Sequence, residues 1–375
     1  MRVIVVGAGI AGLSIGWRLA QAGAETIVIE RAQPGRGATW ASGGMLAPTL
    51  ETGHAPEAEV AFARKSMDLW PGFAEELEAV SGRRLGYRRD GALVVAQSEE
   101  EAEPLKAAAA AAGVNFIPPE EARALVPALN PDILGALWAP GEAQVDNRAV
   151  GDVLAMAFLR AGGNLQTNEA VVRLETLDGG TIAVRTAFKT YEGDAVILAA
   201  GAWTGEIEGL PPEAVPPVRP VKGEMIALQA PAGAALPVPF VWGNHFYLIP
   251  RDDRLFVGAT ATESGFDTAL TADAETFLFS RACGLMPGLA DWEICEHWAG
   301  LRPGSPDGLP ILGASTVENV YVASGQFRNG ILLAPAIAEA MRSIVLEGRP
   351  PPEIAAFTPS RFRDDTVPAT GSPLQ

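Results

Sequence analysis

The sequence predicts an α/β protein in which a buried parallel sheet is interleaved with an α+β unit built on a mixed, mainly antiparallel sheet. Three observations predict it. A β-branched run, Val3-Ile4-Val5-Val6, leads directly into Gly7-Ala8-Gly9-Ile10-Ala11-Gly12. Two more apolar strands with small-residue ends, at 195–200 and 320–325, recur late in the chain. Between residues 222 and 302, short strands alternate with turns and one helix.

The elements follow in chain order. The run at 3–6 suits a strand covered on both faces. Residues 13–22 read as a helix, Gly23 as a turn, and Glu25-Thr26-Ile27-Val28-Ile29 as a second strand ending at Glu30. This is a βαβ unit, with an acid about 20 positions past the glycines. Gly7 permits a tight turn, Gly9 lets backbone approach a pyrophosphate, and Gly12 lets helix and strand pack closely. The helix N-terminus offers free N–H groups and a partial positive charge. Glu30 suits a ribose diol and would repel a 2′-phosphate. Together these predict a dinucleotide site in a Rossmann-like domain. A secretory leader, with Arg2 before an uncharged run and Ala20-Gln21-Ala22 as a cleavage shape, would discard that pattern.

Residues 35–45 are glycine-rich yet apolar, which suits a segment running along a large flat ligand. Residues 52–82 read as a helix with Phe62, Leu69, Phe73 and Leu77 on one face and Glu75, Glu76 and Glu78 in solvent. Next come a strand at 88–95, a helix at 98–112, a short helix at 120–125 and an amphipathic helix at 147–161. Strands with a Gly179-Gly180 turn fill 167–184, and the prolines of 211–220 mark a crossing between units. A helix is expected at 272–285. The strand at 320–325 passes through Gln326-Phe327-Arg328-Asn329-Gly330 into an apolar helix at 331–346. Such a helix N-terminus can stabilise negative charge on a ligand.

A length of 375 residues allows two or three domains. A net charge of −17 opposes binding to nucleic acid or anionic membranes. Cys283 and Cys295 cannot build a disulfide framework, and a reducing cytoplasm is the simplest home. No uncharged apolar run reaches the ~18 residues of a membrane span. Cys295 and His297 share a strand face, but two ligands make no metal site, and both read as core.

Six blocks carry a family resemblance. They are 41–48 (ASGGMLAP), 220–224 (PVKGE), 247–251 (YLIPR), 257–260 (VGAT), 298–304 (WAGLRPG) and 327–335 (FRNGILLAP). On these the chain resembles the FAD-dependent amino-acid oxidase family of D-amino-acid, sarcosine and glycine oxidases, and most of all the glycine oxidase branch of the thiazole-biosynthesis type. The resemblance implies non-covalently bound FAD, a small amino acid or amine as substrate, O2 as acceptor, and a homo-oligomer as one option. It also implies a discontinuous FAD-binding domain (1–83, 146–220, 298–363) and a substrate domain (84–145, 221–297), while the Pro, Ser, Thr and Asp of the C-terminal segment predict a disordered tail (364–375). Two positions depart from the branch. Gln326 stands where His is common, and Ala261 where Met is familiar.

Oxidising an amino acid moves a hydride from Cα, so the reaction needs positioning more than acid–base groups. A carboxylate is best fixed by a bidentate Arg, and Arg302 is the candidate, with Tyr247 as a further donor. The bland alternative pairs Arg302 with an acid such as Asp307. Arg328, His245 and Met45 complete the candidate catalytic set; His245 and Tyr247 are expected on one face of a strand. The candidate cofactor contacts begin with Gly7, Gly9, Ile10, Ala11, Gly12, Glu30 and Arg31. They continue through Ala38, Thr39, Ser42, Gly43, Gly44 and Met45, then Val171, Ala200, Gly201 and Trp203. They end with Phe327, Arg328, Asn329, Gly330, Ile331 and Leu332. A D-amino-acid or N-methyl-amino-acid oxidase, a dehydrogenase serving a membrane quinone, and a non-catalytic nucleotide module are the competing readings.

Overall fold

The computed structural model describes residues 1–51 and 55–362 of the chain. Its first sheet has six strands, in the order Ile311–Ala314, Val320–Ser324, Ala195–Leu198, Arg2–Val6, Glu25–Ile29 and Asn164–Gln166. All neighbours are parallel except the outer pair 311–314 and 320–324. The two central strands are buried along almost their whole length, as their unbroken apolar runs require. On one face lie the fingerprint helix (Ile10–Gln21), the long helix (Glu57–Ser81), the helix Asn147–Arg160 and the last helix (Gly330–Glu347). On the other lies a three-stranded antiparallel layer, 171–176, 182–186 and 190–193, whose Leu174 and Val184 pack on Ile4 and Leu198.

The second sheet has eight strands. Their order is Glu293–Gly304, Arg219–Gln229, Arg254–Gly258, Phe246–Arg251, Phe240–Gly243, Ala92–Ala96, Gly135–Ala139 and Asn115–Ile117. Only the pair 240–243 and 92–96 runs parallel. Strand alternation gives the sheet two different faces. Ile226, Leu228, Leu248 and Val257 pack against the helix Ala272–Leu285. Met225, Tyr247, Ile249 and Trp298 point the other way, toward the first sheet.

Several expectations need correction. The predicted helix at 52–82 runs from Glu57 to Ser81. Its Glu76 accepts bonds from Arg18 and Gln21, and Glu78 accepts the Leu85 N–H, so these two acids tie elements together. The strand expected from 88 starts at Ala92, because Arg88 makes only an isolated bridge to Gln144. His245 is not on a strand: it sits at φ +67° in the two-residue turn before Phe246. Cys295 is exposed rather than core: a bulge leaves it out of the strand register, and its thiol donates to the Ala227 carbonyl at 3.4 Å. The strands at 115–117, 135–139, 164–166 and 311–314 were not expected; they are short and lack a clean alternation. The tail expectation at 364–375 lies outside the described residues.

Candidate active site

A cavity of about 1170 Å³ runs between the two sheets, larger than the ~300–1,000 Å³ of ordinary small-molecule pockets. The glycine fingerprint forms one end. A Cβ on Gly7 would stand 2.5 Å from the Ala199 carbonyl oxygen, at a φ of +102° that disfavours any side chain. A Cβ on Gly12 would collide with the Gly7 carbonyl. Gly9 differs: its Cβ would meet nothing nearer than Thr39 Oγ1 at 3.7 Å. Protein packing therefore explains Gly7 and Gly12, while the bareness of Gly9 keeps space open in the cavity. No side chain of its own caps the fingerprint helix; the Thr39 hydroxyl accepts the Ile10 N–H at 3.0 Å from another segment. The Glu30 carboxylate accepts the N–H of Ala8 at 2.8 Å and of Ala32 at 3.0 Å, which fixes it at the rim of the cavity.

The middle of the cavity is walled by the segment from Ala38 to Met45. Residues 38–41 form one short helical turn, held by Asn147 Nδ2 bonds to the carbonyls of Thr39 and Trp40. The Ser42 hydroxyl turns back to the Thr39 carbonyl at 2.8 Å. Gly44, at φ +74°, leaves no room for a Cβ beside the Val145 carbonyl. Opposite stand Val171, Ala200, Gly201 and Trp203. The Arg31 guanidinium lies 3.3 Å above the Trp203 ring, and Trp203 stacks in turn on Phe266 at 5.4 Å. Burial pulls the Arg31 pKa down, and the neighbouring Glu30 charge partly offsets this.

The far end holds Arg302 and Tyr247. Arg302 projects from the strand Glu293–Gly304, and its Nη1 donates to the Thr260 carbonyl at 3.0 Å. Its guanidinium lies over Gly223, with Cζ 2.6 Å from where a Cβ would be. Tyr247 stands against Gly258, and its hydroxyl lies 3.7 Å from the Met225 sulfur. Met45 receives the Trp242 Nε1–H on its sulfur at 3.0 Å. His245 and Arg328 also line the cavity, both from exposed positions, and the Arg328 guanidinium leans on the Phe327 ring. Asp307 does not pair with Arg302; it takes a bidentate pair from Arg361.

The structure brings nearly all the expected residues to one cavity. Gly12 and Leu332 are outside its lining: Gly12 is packed under Gly7, and Leu332 is buried with its carbonyl turned to Ser66 and Trp70. Sequence reasoning gave no role to Arg251. This Arg is 7% exposed and donates to the carbonyls of Gly43 and Val145, both at 2.6 Å, and to Gln144 Oε1 at 2.9 Å. Desolvation lowers its pKa to about 10. It shares a strand face with Tyr247, so one strand both lines the far end and holds the 43–45 wall in place. The block at 247–251 was the only signal that could have pointed to it.

The donor set suits FAD. One end offers bare backbone, a helix N-terminus and a fixed acid; the middle is long, flat and apolar; and the last helix points a second N-terminus into the wall through Gly330 and Ile331. Neither cysteine lines the cavity. Among the described residues no cluster of three His, Cys, Asp or Glu could hold a metal, and no helix is long and apolar enough to cross a membrane.

Residues 2–344 match the family described as FAD dependent oxidoreductase (DAO). The chain is 35% identical over 365 residues to the glycine oxidase of Pseudomonas aeruginosa, covering 96% of this chain and 98% of that protein. It is also 35% identical to the bifunctional protein ThiO/ThiG of Synechocystis sp., covering 98% of this chain but only 55% of that relative. Among solved structures, the glycine oxidase of Geobacillus kaustophilus superposes with a TM-score of 0.90 at 32% identity, covering 96% of this chain and 99% of that one.

Proposed function

We propose, from the premise that the chain belongs to the FAD-dependent oxidoreductase family and is an FAD-dependent amino-acid oxidase, that its substrate is glycine or another small amino acid. The product is the imine, which water converts to the oxo acid and ammonia, while O2 becomes hydrogen peroxide. One observation carries this reading: a single cavity has the glycine fingerprint and Glu30 at one end and Arg302 with Tyr247 at the other. Likeness to bifunctional ThiO/ThiG proteins, of which the chain spans about half, supports a place in thiamine biosynthesis as supplier of the imine.

Arg302 offers a fork of N–H groups that matches a carboxylate, and Tyr247 adds a hydroxyl donor from the same sheet, on a strand separated from that of Arg302 by two others. A held carboxylate fixes where Cα sits and removes the cost of orienting it. The positive charge of Arg302 also favours the neutral amine over the ammonium, because a like charge disfavours protonation. Met45, Met225 and Trp242 line this end with apolar surface and keep water from the reacting carbon. The chemistry that FAD supplies when bound is acceptance of the hydride and delivery of the electron pair to O2. We assign its binding to the fingerprint glycines, Glu30, the 38–45 wall and the first turn of the last helix. Ala261, a small side chain on the wall beside Thr260, favours a bulkier D-amino acid or N-methyl amino acid as the second reading.

The test is oxygen uptake and peroxide release with glycine, sarcosine, D-Ala, D-Pro and an L-amino-acid control. Glycine should rank first, and a clear preference for sarcosine or D-Pro would select the second reading. On the best substrate, Arg302→Lys should lower kcat/KM about 100-fold, or ~2.7 kcal/mol, because the fork is lost while the charge stays. The variant should remain yellow. Near-normal kcat/KM would remove Arg302 from the carboxylate clamp.

A further inference from the structure

No side chain caps the first turn of the last helix, although Asn329 stands at the capping position. Asn is among the strongest capping residues, and a capping residue takes an extended backbone. Asn329 instead has φ −95° and ψ 9°. Its Nδ2 donates to Glu59 Oε1 at 3.0 Å, and both residues are only 7% exposed. Glu59 belongs to the long helix, outside the cavity lining. Farther along that helix, at spacings that keep one face, Ser66 Oγ and Trp70 Nε1 donate to the Leu332 carbonyl at 2.7 and 2.9 Å. Pro335 lacks the N–H that would close on the Ile331 carbonyl, so the first turn is weak by itself. The long helix thus holds that turn by its side chains.

We propose that Glu59 is a positioning residue that keeps the Asn329 side chain off its own helix end, leaving the first-turn amides open to negative charge on bound FAD. The bond satisfies Asn329 Nδ2, a buried donor that is costly to leave without an acceptor, and so it outcompetes a cap that would use the Asn329 oxygen alone. If the bond is lost, the Asn329 backbone relaxes to the extended conformation of a cap, its Oδ1 accepts from the first turn, and the amides are screened from the ligand. The inference rests on the FAD reading of the cavity and adds a residue that never touches the cofactor.

The test is the midpoint potential of FAD in the purified holoenzyme. Open amides favour the more negative, reduced cofactor. Glu59→Ala should lower the potential by about 30 mV, a tenfold shift in a two-electron equilibrium. Glu59→Gln keeps an acceptor for Asn329 and should stay near wild type. Adding Asn329→Ala to Glu59→Ala removes the competing cap and should restore the potential. A second pair leaves Glu59 untouched: Asn329→Ser, too short to reach Glu59 but able to cap, should lower the potential, and Asn329→Ala should not. Equal shifts in Glu59→Gln and Glu59→Ala would mean that the charge acts directly and would overturn the proposal. So would equal potentials for the two Asn329 variants. A wild-type protein that purifies without FAD would refute the cofactor reading instead.

Discussion

At Gly223 the strand under the Arg302 end of the cavity carries no side chain, and the Arg302 guanidinium lies in the space a Cβ would need. Gly223→Ala should therefore displace the proposed carboxylate clamp without touching the fingerprint. A misplacement of about 1 Å can cost on the order of 100-fold, so kcat/KM should fall by that order while FAD affinity holds. Steady-state kinetics beside FAD titration check this, and unchanged kinetics would show that the guanidinium works from elsewhere. Gly7 and Gly12 were legible in the sequence because their packing follows from local backbone geometry within one βαβ unit, and Glu30 was legible as to its place at the cavity rim. Arg302 was legible through the block around it. Arg251 was not, because its meaning depends on the carbonyls of Gly43 and Val145, brought together only by the fold. His245 misled for a similar reason. A positive φ in that turn is usually the place of Gly, and nothing in the residue type announces it.

The element that follows the Arg302 strand is pinned from outside. Asp307 accepts two bonds from Arg361 at 2.8 and 3.0 Å, plus the Leu309 N–H at 3.1 Å, joining this turn to the short helical turn Pro359–Phe362. Burial pushes the Asp307 carboxyl up, but the bonds from Arg361 and Leu309 outweigh it and hold the pKa below its ordinary 3.8. A depressed folded pKa means stability that is present above pH 3.8 and is lost as pH falls below it. Asp307→Asn should cost ~1.5–3 kcal/mol at neutral pH, and its gap from wild type should close in acid. Guanidinium unfolding midpoints between pH 7 and about pH 2 measure both, because the contribution is lost only as pH falls through the lowered folded pKa; a gap that persists there would assign the effect to shape instead of charge. At this scale the long periodic helices and the buried strands were readable. The strands Asn115–Ile117 and Gly135–Ala139 were not: the first has three residues, the second has five without apolar–polar alternation, and both gain their structure from a neighbour in the sheet.

The two large sheets close over one long cavity, so a ligand that fills it binds the folded state alone. Holding FAD at 100 times its Kd should add about 2.7 kcal/mol to the stability of the FAD-free protein. For a chain of this length that is a rise of about 3 °C in Tm. Thermal scans of FAD-free protein across an FAD series check it, and a Tm indifferent to FAD would mean that the cavity is closed by something else. Sheet order has a separate consequence, for synthesis. The strand Arg2–Val6 finds Glu25–Ile29 beside it early, but its other neighbour is Ala195–Leu198, and that strand waits in turn for Val320–Ser324. At about 5–20 residues per second the ribosome needs roughly 10–40 s to deliver the first missing partner. Through that interval one of the most apolar edges in the chain is exposed to every other nascent polypeptide nearby. Yield in the cell should therefore depend on chaperone supply and on the pace of translation before residue 195, quantities that no measurement on the finished enzyme reports.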